Sequence, residues 1–497
     1  MMERSSFMGA TRGSEILIGG VWRSGTGPQL DSIDPFDGSV IRTLDSASAD
    51  DVDEAARTGD KAMREPSWRR MFSHERARIL YRTGELISAR SEELAQLQTR
   101  DNGKPITETR ALVASAAGTF RYVASLLETL DDEAPVSRGP YFSMSVYEPL
   151  GVVAAIVPWN SPIASDAQKL APALAAGNAV VLKPAAWTPL VSLEVGRILI
   201  EAGVPAGLVS VLPGSGSVTG QALIEHPLVK KVAFTGGTDT GRTIAHVAAD
   251  KIMPVSLELG GKSPTIIFDD ADIDLAVHGV LYGIFSSEGQ ACIAGSRLFV
   301  HRSRYGEVLE KLMVAATRIK IGDPRDETTH MGPLIAPRHH DVVNSYVRLA
   351  ESEGGKVVFG GGTPVEWPAS NFYLPTIITG LPNTAQTCQE EIFGPVLIVL
   401  PFDDDESLVE MANDSVYGLA CGIWTRNYKR AWDIARRIDA GNVWINTYKL
   451  LSSAAPFGGF KLSGIGREKG RLWIRGYQSQ KSLYWGTNDR PIQWTDL

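Results

Sequence analysis

Hydrophobic and polar positions change their rhythm several times along the chain. Within residues 15–50, the pieces ILIGGVWRSG and DPFDG read as short strands and turns. From Ser48, a helix-capping residue, to Leu130, apolar positions recur at helical spacing among Ala, Leu, Arg and Glu, which predicts a helical segment. Between Tyr141 and Tyr147 the pattern alternates, with Phe142, Met144 and Val146 opposite Ser143 and Ser145, which predicts an isolated strand. From Gly151, apolar runs at 151–157, 179–182, 208–212, 230–234 and 254–258 alternate with helical stretches near 163–176, 190–203, 217–225 and 240–250. That rhythm belongs to a parallel sheet with crossover helices. A second series places strands near 264–268, 297–301, 396–402, 418–424 and 441–446, with helices near 272–285, 303–319 and 427–438. The reading is α/β, with two lobes and a ligand crevice between them.

Composition narrows the function classes. A chain of 497 residues holds about two to four domains. Its 43% apolar and 21% charged residues exclude disorder, collagen and coiled coil as whole-chain descriptions. A net charge of -8 offers no broad footprint for nucleic acid. Apolar runs such as VVAAIV at 152–157 are far shorter than the roughly 18 residues of a membrane helix, so no membrane partner is expected. MMERSSFMGATRGSE has no apolar core, so no signal peptide is expected either. Cys292, Cys388 and Cys421 are too few and too scattered for a disulfide scaffold or a zinc site. The expectation is a cytoplasmic protein without a metal.

Candidate chemistry begins with glycines. PGSGSVTG at 213–220, which contains Gly216 and Gly220, approaches a dinucleotide fingerprint but has the spacing G-x-G-x-x-x-G, and an ordinary turn fits it as well. FTGGTDTG at 234–241 follows an apolar strand and opens a helix, so free N–H groups there suit a phosphate. Cys292, in EGQACIAGSR, lies between a helix and a strand and is flanked by Gly289 and Gly295, a setting in which a thiolate can meet substrate; the alternative is a small buried hydrophobe. Glu258, at the end of an apolar strand in VSLELGGKSP, is a candidate base, or else half of an ion pair with Lys262. Asn160 in IVPWNSP is a candidate oxyanion donor, or else a turn or cap residue.

Together the motifs PWNSP (158–162), KPA (183–185), FTGGTDTG, ELGGKSP (258–264), GQACIAGSR (289–297), EEIFGPV (390–396) and PFGGFKLSGIGRE (456–468) resemble the NAD(P)-dependent aldehyde dehydrogenase superfamily in order and spacing. The resemblance spans about residues 17 to 486. It implies a Rossmann-like cofactor domain (1–126 and 151–258), an α/β catalytic domain (259–462), and a small β oligomerisation arm (131–150 and 475–497). A homodimer or homotetramer is the implied assembly.

The resemblance implies that Cys292 is the nucleophile, Glu258 the general base, and Asn160 with the Cys292 backbone N–H the oxyanion hole. Lys183 would meet the adenosine ribose. Trp159, Gly236 and Gly237 would lie by the pyrophosphate, with Gly216, Gly220, Phe234 and Leu259 also around the cofactor. Glu391 and Phe393 would hold the nicotinamide ribose and ring, and Glu468 would sit near a water path. The implied chemistry is attack by Cys292 on an aldehyde, hydride transfer to NAD or NADP, and hydrolysis of the thioester by a water that Glu258 activates. Coenzyme A-dependent relatives generally lack this glutamate, which argues for hydrolysis. Acylating or reductive chemistry, or a silent binding protein of the same fold, are the alternatives.

Two departures matter. Ala186 stands where the superfamily usually has a glutamate that receives the ribose hydroxyls and repels a 2′-phosphate, so NADP is expected beside NAD. Ser115, Ser161, Ser165, Gln168 and Ser286 make the expected substrate tunnel polar, with Lys449, Leu450, Leu451 and Phe457 near it. A hydroxylated or carboxylated semialdehyde is the expected substrate, with Lys449 meeting its anion or hydroxyl; the alternative is that Lys449 points to solvent.

Overall fold

The computed structural model of the protein describes residues 15–367, 371–489 and Trp494. The expectation for the first 14 residues, and the end of the expected arm at 490–493 and 495–497, lie outside the described residues.

An eight-stranded sheet forms because strands such as AVVLK, all five residues buried, can be covered on both faces by crossover helices. Its order is Val21–Arg23, Ile16–Ile18, Val209–Val211, Ala179–Lys183, Val152–Ile156, Val229–Thr235, Val255–Glu258 and Gly464–Ile465. The strands from Val209 to Glu258 run parallel, and antiparallel pieces close both edges. After Val152–Ile156 the chain builds first to one side and then, from Val229, to the other. Ligands bind beyond the carboxyl ends of strands at such a reversal, and here Pro158, Trp159, Asn160 and Gly236 follow those ends.

A seven-stranded sheet forms the second lobe, in the order Lys356–Phe359, Thr376–Thr379, Val396–Phe402, Arg297–His301, Pro264–Ile267, Ala420–Trp424 and Asn442–Ile445. All pairs are parallel except the first. Sequence periodicity did not assign the strands at 356–359 and 376–379 or the helices Pro337–Ser352 and Asp405–Asn413. The first of those helices buries only Val343, Val347 and Ala350, too narrow an apolar face to stand out.

The segment from Ser48 to Leu130 is helical as expected, divided into five helices. Ser48 caps the first through a reciprocal box with Asp51, and Gly103, at φ 75°, ends the fourth in the left-handed region. The strand near residue 141 is not isolated. Tyr141–Pro149 pairs antiparallel with Gln478–Gly486 over its whole length, and this ribbon exposes Phe142, Tyr484 and Trp485. The Gly464–Ile465 strand returns from the second lobe to pair with Leu257 and Glu258, which ties the end of the glutamate's strand to the PFGGF loop region.

Candidate active site

A cavity of about 480 Å³ opens at the reversal point and reaches into the second lobe. It is lined from the first sheet by Trp159, Asn160, Lys183, Gly216, Gly220, Phe234, Gly236, Gly237, Glu258 and Leu259. Cys292, Glu391 and Phe393 line it from the second lobe. All three expected catalytic residues therefore share one wall system with nearly all the expected cofactor residues.

Cys292 follows a sharp reversal in which Ser287, Glu288 and Gly289 take φ values of 59°, 55° and 70°. Glycine is required at 289, where a Cβ would stand 2.1 Å from the Gly394 carbonyl oxygen. The Asn160 Nδ2 donates to the Gln290 carbonyl at 2.8 Å, which leaves its second N–H for another acceptor. Asn160 is thus neither cap nor simple turn residue. Cys292 is half-buried rather than freely exposed. Burial first, then the nearby carboxylates Glu391 and Glu258, push its thiol up to about 12. The resting group is a thiol, which needs a base or a change of surroundings to attack.

Glu258 is 4% exposed, and neither of its carboxylate oxygens has a hydrogen-bond partner among the described residues. Burial, followed by repulsion from Glu468, raises its carboxyl well above the ordinary value; Lys169 and more weakly Arg467 and Lys469 oppose the shift. The expected alternative of an ion pair with Lys262 is overturned. The Lys262 Nζ is buried without a hydrogen-bond partner among the described residues, and burial lowers it to about 7. Glu468 is instead the paired carboxylate, 2.7 Å from the Lys169 Nζ, which also donates to Thr235 Oγ1.

On the opposite side, Gly237 caps the helix Thr238–Asp250 without a side-chain bond, and a Cβ there would meet nothing within 4 Å. The helix start thus presents backbone N–H groups and open space to the cavity. Lys183 is buried, its ammonium bonded among the described residues only to the Pro184 carbonyl at 3.0 Å, and burial lowers it to about 8. A buried cation that has no carboxylate partner among the described residues, beside a glycine-lined helix start, suits a phosphate- and ribose-bearing cofactor. Glu391 accepts from Gly261 N–H at 3.0 Å, and burial raises it to about 7. Ala186 does not line the cavity; its neighbours Ala185 and Trp187 do.

Trp187 and His339 escaped the sequence reading. Trp159 packs edge-on against Trp187, His339 and Phe393, with ring centroids 5.3 to 5.7 Å apart. The His339 Nε2 meets the carbonyl of Phe393 at 2.8 Å, a residue held at φ 58°. Trp187 was legible only as the neighbour of Ala186, and His339 carried no local signal.

The expected substrate residues form no part of this cavity. Ser165 is buried in the helix Pro162–Ala175, Ser161 and Gln168 are half-buried, and Ser115, Leu450 and Leu451 are exposed. The expected solvent-facing alternative for Lys449 is overturned: its Nζ turns inward to Ser286 Oγ at 2.7 Å. Burial lowers this ammonium to about 8. Phe457 packs on the second-lobe core beneath the Lys469 ammonium, 5.4 Å from its ring centroid.

No helix among the described residues is long and apolar enough to cross a membrane, and none of their His, Cys, Asp and Glu side chains group for a metal. The profile of the aldehyde dehydrogenase family matches residues 22–483. The protein DhaS of Bacillus subtilis is 40% identical over 467 residues, 94% of each chain. An aldehyde dehydrogenase from Bacillus cereus, solved with NAD+, is 39% identical with a TM-score of 0.93, covering 96% of this chain and 97% of that one. A betaine aldehyde dehydrogenase from Staphylococcus aureus, also solved with NAD+, is 35% identical with a TM-score of 0.95, covering 98% of this chain and 97% of that one. With a family match over nearly its whole length and relatives of this identity, the chain belongs to the aldehyde dehydrogenase family.

Proposed function

We propose that the protein oxidises a polar aldehyde, a hydroxylated or carboxylated semialdehyde, to its carboxylic acid with NAD or NADP. The observation that carries the reading is the convergence of Cys292, Asn160, Glu258 and Glu391 on one cavity that continues to Lys183 and Gly237. When bound, the cofactor supplies acceptance of a hydride. Lys183 and the Gly236–Gly237 helix start would hold its ribose and phosphates, and Glu391 and Phe393 its nicotinamide end.

The chain's own groups do the rest. The Cys292 thiol gives its proton to solvent, Sγ bonds to the aldehyde carbon, and the oxygen gains charge beside the second Asn160 N–H and the Cys292 backbone N–H. Glu258, buried with no competing hydrogen bond, takes a proton from the water that cleaves the acyl–sulfur bond. This carboxylate favours hydrolysis over transfer to coenzyme A, and with Cys292 it disfavours a silent binding protein.

Substrate polarity rests on Lys449. Its ammonium meets only the neutral oxygens of Ser286 and Tyr282 and the Tyr282 ring, with no carboxylate within 4 Å among the described residues. Lys449 lies outside the cavity but in the field of Glu108, Cys292 and Glu288, so an anion or hydroxyl at the far end of a substrate that extends past Cys292 would share it with those carboxylates. The division into a cofactor domain, a catalytic domain and an arm, a cytoplasmic setting, and assembly as a homodimer or homotetramer through the exposed 141–149 and 478–486 ribbon belong to the same reading.

The test is a panel of aldehydes assayed with both cofactors, run on the natural protein, Cys292→Ala and Lys449→Met. Cys292→Ala is expected to lose aldehyde-dependent NAD(P)H formation while still binding cofactor. Lys449→Met is expected to raise KM about tenfold for succinic semialdehyde, the loss of one charge-assisted contact, and to leave hexanal unchanged. Unchanged activity in Cys292→Ala refutes the enzyme reading. Equal turnover of hexanal and the semialdehydes refutes the substrate class.

A further inference from the structure

The reversal before Cys292 is held from outside by side chains that the reaction does not touch. Glu288 is 1% exposed; its Oε1 accepts the Gly332 N–H at 2.9 Å and its Oε2 accepts from Gln290 Nε2 at 3.4 Å. Gln290 is 2% exposed, and its Oε1 accepts the Ile335 N–H at 3.0 Å. The side chains of Glu288 and Gln290 thus bind the segment 332–335 and each other. The backbone carbonyl of the same Gln290 accepts from Asn160 Nδ2 at 2.8 Å.

The turn itself is an unfavourable conformation that needs support. Ser287 and Glu288 are left-handed without being glycine, a state that persists only when the surroundings impose it. Glu108 supplies one side of that support, taking the Ser287 N–H at 2.8 Å and its hydroxyl at 2.5 Å. Glu288 supplies the other.

An amide that donates to a fixed carbonyl cannot turn its oxygen to that side. The Gln290 carbonyl therefore decides which face of Asn160 looks into the cavity, and presents its second N–H. We propose that Glu288 is a positioning residue for the oxyanion site: through Gln290 it fixes the orientation of the Asn160 amide. The proposal rests on the reading of Asn160 as the oxyanion donor.

The test is a double-mutant cycle between Glu288→Ala and Asn160→Ala, read as kcat/KM for aldehyde, with NADH affinity measured by fluorescence titration. Deleting an oxyanion donor costs about 10²- to 10³-fold, and losing its alignment is expected to cost about 10- to 100-fold. Glu288→Ala should show that loss with NADH affinity unchanged, and Glu288→Gln, which keeps an acceptor for Gly332 but sets an NH2 against the Gln290 amide NH2, should recover only part of it. In the Asn160→Ala background, Glu288→Ala should cost nothing more. An equal loss in both backgrounds overturns the proposal and leaves the oxyanion reading intact. A silent Asn160→Ala overturns the oxyanion reading and this proposal with it. If Glu288→Ala does not fold, Gln290→Met, which cuts the same side-chain tie to Glu288 and Ile335, enters the same cycle with the same expected result.

Discussion

Replacing Glu258 by Gln should produce a protein that is more stable and far less active. The carboxylate is 4% exposed and neither oxygen is hydrogen-bonded among the described residues. Burial, then Glu468, raises its pKa well above the ordinary 4.5. A group so shifted takes up a proton on folding. Its contribution to stability is complete below the unfolded value and is lost as pH rises through the folded value. Across that window the loss runs at about 1.4 kcal/mol per pH unit. The substituted amide does not titrate. Natural protein and Glu258→Gln should therefore unfold alike near pH 5, while by pH 7 the variant should be the more stable of the two. Loss of a general base costs about 10²- to 10⁴-fold in turnover, and because attack by Cys292 precedes the step that needs Glu258, a first burst of product should survive. Urea unfolding of the cofactor-free protein at pH 5, 6 and 7 gives the first quantity, and rapid-mixing kinetics gives the second. A variant less stable than the natural protein at pH 7, or one that turns over within threefold of it, would refute the reasoning.

Two further outcomes follow from the same geometry. With its thiol pushed up to about 12 by burial and by Glu391 and Glu258, Cys292 in the cofactor-free protein should alkylate with iodoacetamide about tenfold faster per pH unit up to pH 9. A plateau near pH 8, followed by mass spectrometry of the labelled peptide, would contradict that electrostatic account. Ala186 stands just behind the cavity wall, between the lining residues Ala185 and Trp187, and a glutamate there is long enough to reach past them; Ala186→Glu should then lower kcat/KM with NADP about tenfold or more relative to NAD, because the new carboxylate repels a 2′-phosphate. A natural protein that already prefers NAD over NADP by more than about a thousandfold, some 4 kcal/mol, would refute dual cofactor use.

Residues at the ends of regular elements were legible in the sequence, whereas the partners that act on them were not. Parallel strands covered on both faces become continuous apolar runs, so VVAAI, AVVLK and VSLE were visible as strands, with Asn160, Lys183 and Glu258 at or just beyond their ends. Helix Pro337–Ser352 shows three buried residues among many polar ones, so neither the helix nor His339 upon it stood out. What tunes the site comes from far along the chain: Gln290 meets Asn160 across 130 residues, and Glu468 meets Lys169 across 299. Local pattern could not decide between an ion pair with Lys262 and a free base at Glu258, because adjacency in sequence says nothing about which face each side chain takes. Strand geometry did decide it. Glu258 is the last residue of its strand and is covered by Gly464 and by Gly458, where a Cβ would stand 2.8 Å from its Oε1. Lys262, beyond the Gly260–Gly261 turn, is buried on the second-lobe side, in the field of Cys388 and Arg297. Gly260 and Gly261, which follow Glu258, have a use of their own. A Cβ on Gly260 would fall 2.3 Å from Glu391 Oε2, and one on Gly261 would fall 2.5 Å from the Cys292 carbonyl oxygen. Their lack of side chains is what lets the base, the nucleophile's backbone and Glu391 close around one cavity.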